Sequence, residues 1–541
     1  SNALPIDGIS TDIDADPRDA STPDIGADEG DFSVPASVPA PAVIVSPQMD
    51  EYAVSINPTL SWYGSGAGGA PTGYRVYLGS DNPPSNISNG VDIGNVLTYA
   101  SPVTLAYLST YYWKIVPYND NGPADANTCP VWQFSTHQTP LTGNWVIGST
   151  GYYPDFTHAI KYLNASGVGS GGVTFKALAT EVFAENPPAI TVTGTSANPI
   201  VFCSTDTLAT NPKITPAGGS DTFGFKIKGG DFFTFDHIDI ANQTGQTDLV
   251  YGFWLEAQSD DGCTDNTIKG CAITLNRTAD GAGIRSDSSS GQINHRNTYL
   301  RNTISNARNG MYIYDSSAAQ GLRVQSNQIS SVSANGIYLR YTNNADISYN
   351  DIQMATSNNI AFIAINCYNE SGTGMIHHNH ISGGTSTSSF TGIYTYYDKY
   401  NIFFNQITGI TTSNYIYGIR NYYGGGNGQV YGNELSNLSS SGSSDVFGLF
   451  MTSMNVYQNS FSGFSSNGPV RGISLHGGSI YRNSIRDLQT NTTGYIAIGI
   501  YTTGTVSVYN NMVCDLRAPA SNSVPQIRGI HVNSGVATLY Y

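Results

Sequence analysis

The fold is decided by the stretch VQSNQI at residues 324–329, which returns as ISYNDI at 347–352, IHHNHI at 376–381 and IFFNQI at 402–407. Each copy has an Asn with an apolar residue two positions after it. A second apolar residue commonly lies three positions before the Asn. The asparagines are Asn302, Asn327, Asn350, Asn379, Asn405, Asn433, Asn459, Asn483 and Asn511. Their spacing averages about 26 residues, and a fixed period of this size predicts a solenoid of stacked coils.

A second unit, Gly followed by an apolar residue, keeps the same period. It occurs at Gly252, Gly283, Gly310, Gly336, Gly392, Gly418, Gly448, Gly472, Gly499 and Gly529, and Asn359-Ile360 is expected to fill the gap in this series. The two units together predict roughly eleven coils, stacked at the strand spacing of about 4.8 Å. We expect each Asn to take the left-handed turn conformation and to bond to the Asn of the next coil, while Val and Ile point inward.

These units resemble those of the pectate-lyase-like β-helices of secreted bacterial proteins. The resemblance covers about residues 144–541 and implies an all-β fold built on a right-handed parallel β-helix. A leucine-rich repeat has a similar period, but here the repeated leucines are missing and polar loops stand where that fold needs a helix. Because Thr538–Tyr541 reads as a strand, we expect the domain 141–541 to be truncated at its C-terminus.

One helix is predicted, around residues 153–163. Phe156, Ala159, Ile160 and Leu163 fall on one face, and Gly167 ends the pattern. We expect this helix to cap the open first coil of the β-helix, whose backbone would otherwise pair with other chains.

Residues 1–38 read as a cloning scar, Ser1–Ala3, followed by an acidic linker. Asp12–Arg18 and Asp24–Glu29 resemble the closing motif of secreted bacterial β-helix proteins, which implies the tail of a preceding β-helix. Asp12, Asp14 and Asp16 could ligate Ca²⁺, although Pro17 stands where a calcium loop needs Gly; the alternative is a solvated linker.

Residues 39–140 show short strands separated by turn clusters, which predicts a β-sandwich. The predicted strands contain Leu60-Ser61-Trp62, Tyr74–Leu78, Tyr111–Val116 and Trp132-Gln133-Phe134. Together they resemble a fibronectin type III domain, a module that usually serves as a spacer or an adhesive unit.

The composition limits the classes of function. Only 11% of the 541 residues are charged, Gly and Tyr are abundant, and the net charge is −16, so no basic patch is available for nucleic acid or an anionic membrane. No run of apolar residues is long enough to insert into a membrane. The six cysteines show no metal-ligand spacing; Cys263 and Cys271 could pair, or could be buried thiols. We therefore expect a secreted or cell-surface protein that is monomeric.

The alternation of strands places two columns of side chains on the outer face of the Gly strands. The first runs Trp254, Arg285, Tyr312, Tyr338, Tyr394, Arg420, Phe450, Ser474, Tyr501 and His531; the second runs Glu256, Asp287, Tyr314, Arg340, Tyr396, Tyr422, Thr452, His476, Thr503 and Asn533. From these columns the predicted carbohydrate-binding residues are Trp254, Tyr312, Tyr314, Tyr338, Tyr394 and Tyr396, since rings can pack on sugars and charged groups can bind hydroxyls or uronates. The alternative is a purely structural ladder. A third column, Phe403, Tyr431, Tyr457, Tyr481 and Tyr509, is interpreted as a stabilising stack.

The catalytic candidates are Glu256 and Asp287, which should lie on neighbouring coils at a separation suited to a retaining glycosidase, with Arg285 and Arg340 nearby. Members of the resembled family use a carboxylate-held Ca²⁺ with an Arg or Lys base, or clustered Asp residues with Gly-His-Gly and Arg-Ile-Lys motifs. Gly252–Tyr541 contains neither Gly-His-Gly nor Arg-Ile-Lys. His377, His378 and His380 are interpreted as a surface cluster that fits one metal poorly.

The favoured function is an extracellular module whose β-helix presents a polysaccharide-binding or adhesive face. The alternative is a polysaccharide lyase or glycoside hydrolase acting near Trp254–Arg340, and a spacer without a ligand is a third interpretation. No cofactor is expected apart from the open question of Ca²⁺.

Overall fold

The computed structural model describes residues 7–11, 17–18, 21, 37–136, 140–216, 222–242, 249–259, 261–277, 281–288, 292–369, 372–397, 399–423, 428–520 and 526–540. The chain divides into two compact units, Ser1–Gln138 and Thr139–Tyr541. The calcium candidates Asp12, Asp14 and Asp16, and the motif Asp24–Glu29, lie outside the described residues, so the site predicted there stays a prediction.

The described part of the first unit contains two small sheets. One comprises Val43–Ser46, Thr59–Tyr63 and Thr98–Ala100; the other comprises Glu51–Val54, Gly73–Gly79, Ser88–Asp92, Thr110–Asn119, Gly122–Pro123 and Trp132–Thr136. All four strands predicted from the sequence are present. Leu60 and Trp62 from the first sheet share one buried core with Val76, Trp113 and Phe134 from the second.

The second unit consists of two long parallel sheets. The described strands of the larger sheet are Leu141–Ile147, Val168–Ala177, Ile200–Ser204, Thr222–Lys228, Phe233–Asp236, Leu249–Glu256, Thr267–Lys269, Ala282–Asp287, Thr298–Leu300, Asn309–Gln320, Arg323–Gln325, Asn335–Asn343, Asp346–Ser348, Phe362–Tyr368, Met375–His377, Phe390–Tyr396, Asn401–Phe403, Ile416–Tyr422, Gln429–Tyr431, Val446–Tyr457, Val470–Tyr481, Ala497–Tyr509, Ile527–Val532 and Val536–Tyr540. Those of the smaller sheet are Val182–Phe183, Lys213–Ile214, Asp239–Ala241, Ala272–Thr274, Thr303–Ser305, Gln328–Val332, Asp351–Met354, His380–Ser382, Thr385–Ser386, Gln406–Thr412, Glu434–Ser440, Ser460–Ser462, Phe464–Ser466, Ser484–Ile485, Leu488–Thr490, Met512–Val513 and Leu516–Arg517.

This arrangement is a parallel β-solenoid of about 13 turns, so the predicted eleven coils were too few. The first coils were missed because they lack the Asn unit, and because the one Gly unit among them, Gly224-Phe225, which aligns with Gly252-Phe253, was overlooked. Their interior is filled by phenylalanines instead: Phe175 stacks on Phe202 at 4.7 Å between ring centroids, and Phe202 stacks on Phe235 at 5.4 Å. Aromatic stacking takes the place of the amide column at this end of the core, while aliphatic residues such as Ile214 and Ile240 still align beside it.

The Asn units form the predicted interior ladder. The side-chain amide of Asn379 donates from Nδ2 to Oδ1 of Asn405 at 2.9 Å and to the carbonyl of Ile347 at 2.9 Å. The predicted backbone conformation was wrong, however, because the left-handed residue is the one that precedes the Asn, for example His378 with φ of 55° and Phe404 with φ of 54°. That residue makes the turn, which leaves the Asn side chain free to point inward.

The Gly units pack tightly against the backbone of the next coil and against side chains of the smaller sheet. A Cβ on Gly336 would lie 2.4 Å from the carbonyl oxygen of Ala364 and 2.6 Å from Ile352, so no larger residue fits without rearrangement. The predicted substitute Asn359-Ile360 was wrong, since Ile365 pairs with Ile337 and therefore Ala364-Ile365 fills the gap.

The predicted helix is confirmed and spans Phe156–Ser166, which we label α1. Asp155 caps its N-terminus by accepting the backbone N–H of His158 at 2.8 Å, and Gly167 ends it with φ of 68°. Phe156 packs against Phe202 and other phenylalanines of the first coils. The apolar face of α1 therefore covers the core at this end of the solenoid.

The cysteines are free thiols, and Cys263 and Cys271 are both buried. Burial raises the pKa of each of these two thiols to about 12, which makes them unreactive near neutral pH. Among the described residues, no helix has the length and apolar character needed to cross a bilayer.

Candidate functional site

The outer face of the larger sheet carries the predicted columns, and we call this face the ladder. Strand pairing aligns the first column as Trp254, Arg285, Tyr312, Tyr338, Asn366, Tyr394, Arg420, Phe450, Ser474, Tyr501 and His531. The second column begins Glu256, Asp287, Tyr314, Arg340, Tyr368, Tyr396 and Tyr422. The alignment matches the sequence prediction, with Asn366 and Tyr368 supplying the coil that the prediction lacked.

A further outward column was missed from the sequence. It consists of the residue before each Gly unit and includes Tyr251, Tyr417, Phe447, Arg471 and Arg528. Alternation alone could not find it, because this residue lies three positions before the first column and strict alternation would place it on the opposite side of the sheet.

The tyrosines of the ladder cover one another's ring faces. Tyr312 and Tyr338 stack at 4.7 Å with 9° between their planes, and Tyr368 and Tyr396 stack at 4.5 Å with 2° between theirs. Ring edges and hydroxyl groups are therefore what these pairs offer to a ligand.

Glu256 and Asp287 lie directly opposite each other on neighbouring strands, as predicted. Glu256 accepts a hydrogen bond from Lys226 Nζ at 3.1 Å, while Asp287 accepts one from Arg285 Nε at 2.6 Å and one from Trp254 Nε1 at 2.8 Å. Both carboxylates thus have a cationic hydrogen-bond partner, which occupies part of their hydrogen-bonding capacity. Their assignment as a catalytic pair stays a prediction.

Lys226, which was not among the predicted residues, lies at the centre of this part of the ladder. Its side chain is nearly buried, and its Nζ lies 3.3 Å from the centroid of the Trp254 ring. One ring face of Trp254 is therefore occupied by a cation rather than open to a sugar. Beside it, a cavity of about 190 Å³ is lined by Tyr251, Arg285 and Tyr312 together with Asn309.

Arginines and aromatic rings alternate along the rest of the ladder. The guanidinium carbon of Arg420 lies 4.6 Å from the ring centroid of Tyr417 and within 5.8 Å of the rings of Tyr394, Tyr422 and Phe450. That of Arg340 lies 4.9 to 5.3 Å from three tyrosine rings, those of Tyr314, Tyr341 and Tyr368. The rings hold both guanidinium groups in fixed positions on the face.

The arginines of the ladder differ in whether an acid neutralises them. Arg285 pairs with Asp287, and Arg471 pairs with Asp445 at 2.5 Å. In the described part of the chain, neither Arg340 nor Arg420 forms an ion pair with an acid, and neither does Arg528, which lies beside His531. The Nε groups of Arg340, Arg420 and Arg471 are all buried without a hydrogen-bond acceptor. The charges of Arg340 and Arg420 are therefore not neutralised by an acid, and their terminal Nη groups can donate to an external anion.

Arg340 also acts on a neighbouring phenol. Its Nη2 donates to the hydroxyl oxygen of Tyr341 at 3.4 Å, and Asn369 Nδ2 donates to the same oxygen at 3.3 Å. These bonds, with that from Arg340 the larger cause, lower the pKa of Tyr341 because they stabilise the phenolate. Tyr341 was not selected from the sequence, because no pattern shows that the guanidinium of the adjacent Arg340 and the amide of Asn369 from the next coil both reach its hydroxyl group.

The three histidines of the predicted cluster do not point to one place: His377 and His378 contact each other, and His380 points elsewhere. His377 Nδ1 lies 2.9 Å from His378 Nδ1, whereas His380 pairs with Asp351 at 2.9 Å. Among the described residues, no group of three or more His, Cys, Asp or Glu side chains is arranged to hold a metal ion.

The aromatic column beginning at Phe403 forms a regular stack on another face. Its rings lie 4.8 to 5.0 Å apart with at most 5° between neighbouring planes, through Tyr431, Tyr457, Tyr481 and Tyr509, and His377 extends it by one ring. The interpretation as a continuous stack is confirmed by this geometry.

No family model matches the chain, and no curated protein matches it either. Solved structures with a similar chain path include a family 28 exopolygalacturonase of Yersinia enterocolitica, at 10% identity and a TM-score of 0.26, with 93% of this chain and 98% of that chain covered. A mannuronic acid specific polysaccharide family 6 lyase from human gut microbiota has 12% identity and a TM-score of 0.33, with 72% and 86% covered. The catalytic domain of a GH87 alpha-1,3-glucanase has 12% identity and a TM-score of 0.32, with 92% and 89% covered. These neighbours are polysaccharide-degrading enzymes.

Proposed function

We propose that the ladder binds an anionic polysaccharide that lies parallel to the solenoid axis. The observation that carries the proposal is the difference among its arginines: Arg340 and Arg420 have no acidic partner in the described part of the chain, although Arg285 and Arg471 on the same face have one. A carboxylate or sulfate group of a polysaccharide would supply the missing acceptor.

The spacing of the two arginines suits a repeating ligand. Three strand-to-strand steps separate Arg340 from Arg420, through Phe362–Tyr368 and Phe390–Tyr396 to Ile416–Tyr422. At about 4.8 Å per step, the two cations are about 14 Å apart along the axis. A polymer that presents acid groups at that interval can engage both, and the tyrosine hydroxyl groups between them can bond to its neutral sugars.

Replacement of either arginine should weaken this binding strongly. We expect Arg340→Gln and Arg420→Gln each to reduce affinity for an acidic polysaccharide about 10-fold, because each removes a charge-assisted hydrogen bond worth about 1.5 kcal/mol. The measurement is isothermal titration with polygalacturonate, alginate and a sulfated glycan in parallel, with a neutral glucan as the comparison.

The matched control is the double variant Arg471→Gln/Asp445→Asn, which removes an arginine of the same face together with its partner. It should bind within about 2-fold of the parent protein, since a neutralised guanidinium contributes little to capture of an anion. Equal losses in the control and in Arg420→Gln would refute the proposal, as would equal binding of the neutral glucan.

Cleavage of the bound polysaccharide is the second candidate function, and the Arg340–Tyr341 pair favours it. In elimination from a uronate, a base removes the proton beside the carboxylate, a C=C bond forms, and the glycosidic C–O bond breaks. Arg340 could neutralise the carboxylate, and Tyr341, whose pKa is lowered, could act as the base.

The type of product distinguishes these functions. Elimination gives ultraviolet-absorbing unsaturated ends, whereas hydrolysis gives reducing ends without that absorbance. If Tyr341 is the base, Tyr341→Phe should reduce the rate at least 100-fold with little change in affinity. If Glu256 and Asp287 act instead, hydrolysis should disappear in Asp287→Asn. Binding of the polymer without any new ends would leave the ladder as a recognition surface alone.

We further propose that the solenoid is right-handed, as parallel crossover connections nearly always are, and that residues 39–140 are a fibronectin type III-like spacer. The two small sheets around a shared core support that assignment. A secreted or cell-surface location of a monomer is proposed on the composition, which is poor in charge and rich in Gly and Tyr.

A further inference from the structure

A cavity of about 510 Å³ lies away from the ladder, at a corner of the solenoid. Its wall is formed by turn residues and by the outward residues of the short strands Thr298–Leu300, Arg323–Gln325 and Asp346–Ser348. A volume of this size is typical of sites for small ligands. None of the residues that line it belongs to the ladder, so it constitutes a separate place on the molecule.

Two of the four charges in the cavity wall cancel. Arg296 donates to both carboxylate oxygens of Asp265 at 2.7 Å, from Nε and from Nη2. A bidentate pair of this kind has the strongest geometry available to an exposed ion pair, which leaves little of either charge for a ligand.

The other two charges, Arg323 and Asp346, do not cancel. They face each other across neighbouring strands, where opposite charges usually pair, yet they form no ion pair. Arg323 is exposed, and in the described part of the chain its guanidinium group has neither a hydrogen bond nor an ion pair. Asp346 instead accepts a hydrogen bond from Gln325 Nε2 at 2.8 Å and lies 3.2 Å from His377 Nε2.

His377 does not neutralise Asp346 near pH 7. Burial is the largest cause of a lowered pKa for this imidazole, which outweighs the opposing effect of Asp346. The cavity wall therefore holds one uncompensated cation and one uncompensated anion on adjacent strands, about 5 Å apart at the backbone.

We propose that this cavity binds an amino sugar that carries both a free ammonium group and an acid group. The ammonium would meet Asp346, and the acid would meet Arg323. Leu322 and the partly exposed Met375 add an apolar surface against which the C–H face of a sugar ring can pack, and Thr298 adds a hydroxyl group. The proposal is independent of polysaccharide binding by the ladder.

The test uses three probes that separate the two charges: muramic acid, which has both groups on one hexose; N-acetylmuramic acid, in which the ammonium is blocked; and glucosamine, which lacks the acid. Each probe is titrated into the full chain, and binding is measured by ligand-observed NMR and by calorimetry. The affinity for muramic acid should be at least 10-fold higher than the affinity for either comparison probe.

Arg323→Gln should remove the preference for the acid group, that is, for muramic acid over glucosamine. Asp346→Asn should remove the preference for the ammonium group, that is, for muramic acid over N-acetylmuramic acid. Arg482→Gln, at an exposed arginine on a distant coil, should leave it unchanged. The double variant Arg340→Gln/Arg420→Gln should also bind muramic acid normally, which separates this site from the ladder. Equal affinity for the three probes, absence of binding, or insensitivity to Arg323→Gln would each overturn the proposal.

Discussion

Replacement of Asn405 by Ala should destabilise the solenoid by about 3–5 kcal/mol. Its Nδ2 donates to Oδ1 of Asn433 at 2.9 Å and to the carbonyl of Ile376 at 2.9 Å, and its Oδ1 accepts the backbone N–H of Asn379 at 3.0 Å. The side chain is almost fully buried, so its loss leaves backbone groups without partners inside the core. Each such group carries a penalty of about 1–3 kcal/mol.

Urea unfolding of the chain measures this loss, and hydrogen exchange locates it. Protection should fall first in the strands Asn401–Phe403 and Gln429–Tyr431, because each coil of a solenoid contacts only its neighbours. Asn455→Ala, on the outer side of the same sheet, is the control and should change the free energy of unfolding by less than about 0.5 kcal/mol. A comparable loss in both variants would show that the buried ladder has no special role in stability.

Asp315 should make the stability of the solenoid depend on pH. This carboxyl is fully buried, and burial is the main cause that raises its pKa to about 7, although bonds from the backbone of Asn294 and the side chain of Ser288 lower it and the charge of Asp287 raises it slightly. The unfolded chain loses this proton near pH 3.8. Between that value and about 7 the folded state therefore holds a proton that the unfolded state has lost, so stability falls as pH rises.

The expected decrease across this window is at most about 4 kcal/mol, and stability should be flat with respect to this group above it. In Asp315→Asn that slope should vanish, and the variant should be more stable than the parent at pH 8, since an amide can accept the N–H of Asn294 without burying a charge. Chemical denaturation at a series of pH values measures both effects. An unchanged slope in the variant would show that another group causes the dependence.

The sequence was sufficient to predict the solenoid because its period repeats one packing problem many times. Asn379, Asn405 and their counterparts satisfy the same backbone groups on each coil from Asn302 to Asn511, so the pattern is visible without a structure. The first coils were not predicted, because stacked phenylalanines such as Phe202 fill the core there and follow no fixed motif. Different residue types can fill the same core. Only coils that use the same residue types at the same positions produce a periodic pattern in the sequence.

The candidate site was predictable in register but not in charge. Alternation alone placed Trp254, Arg285 and Arg340 on one face. It could not show that Lys226 covers the Trp254 ring, or that Arg340 and Arg420 differ from Arg471 in having no acid beside them. Such differences depend on which rotamers neighbouring coils adopt, and no periodic pattern encodes them.

Parallel strands stacked in register have a further consequence for how such a protein changes its preference. The interval between the Arg340 and Arg420 guanidinium groups is a whole number of strand steps, so gain or loss of one coil between them would lengthen or shorten it by one fixed increment of about 4.8 Å. The spacing of binding groups on a solenoid therefore changes only in fixed steps. Duplication of a single coil could adapt the protein to a polymer with a different distance between acid groups, without any new side-chain chemistry.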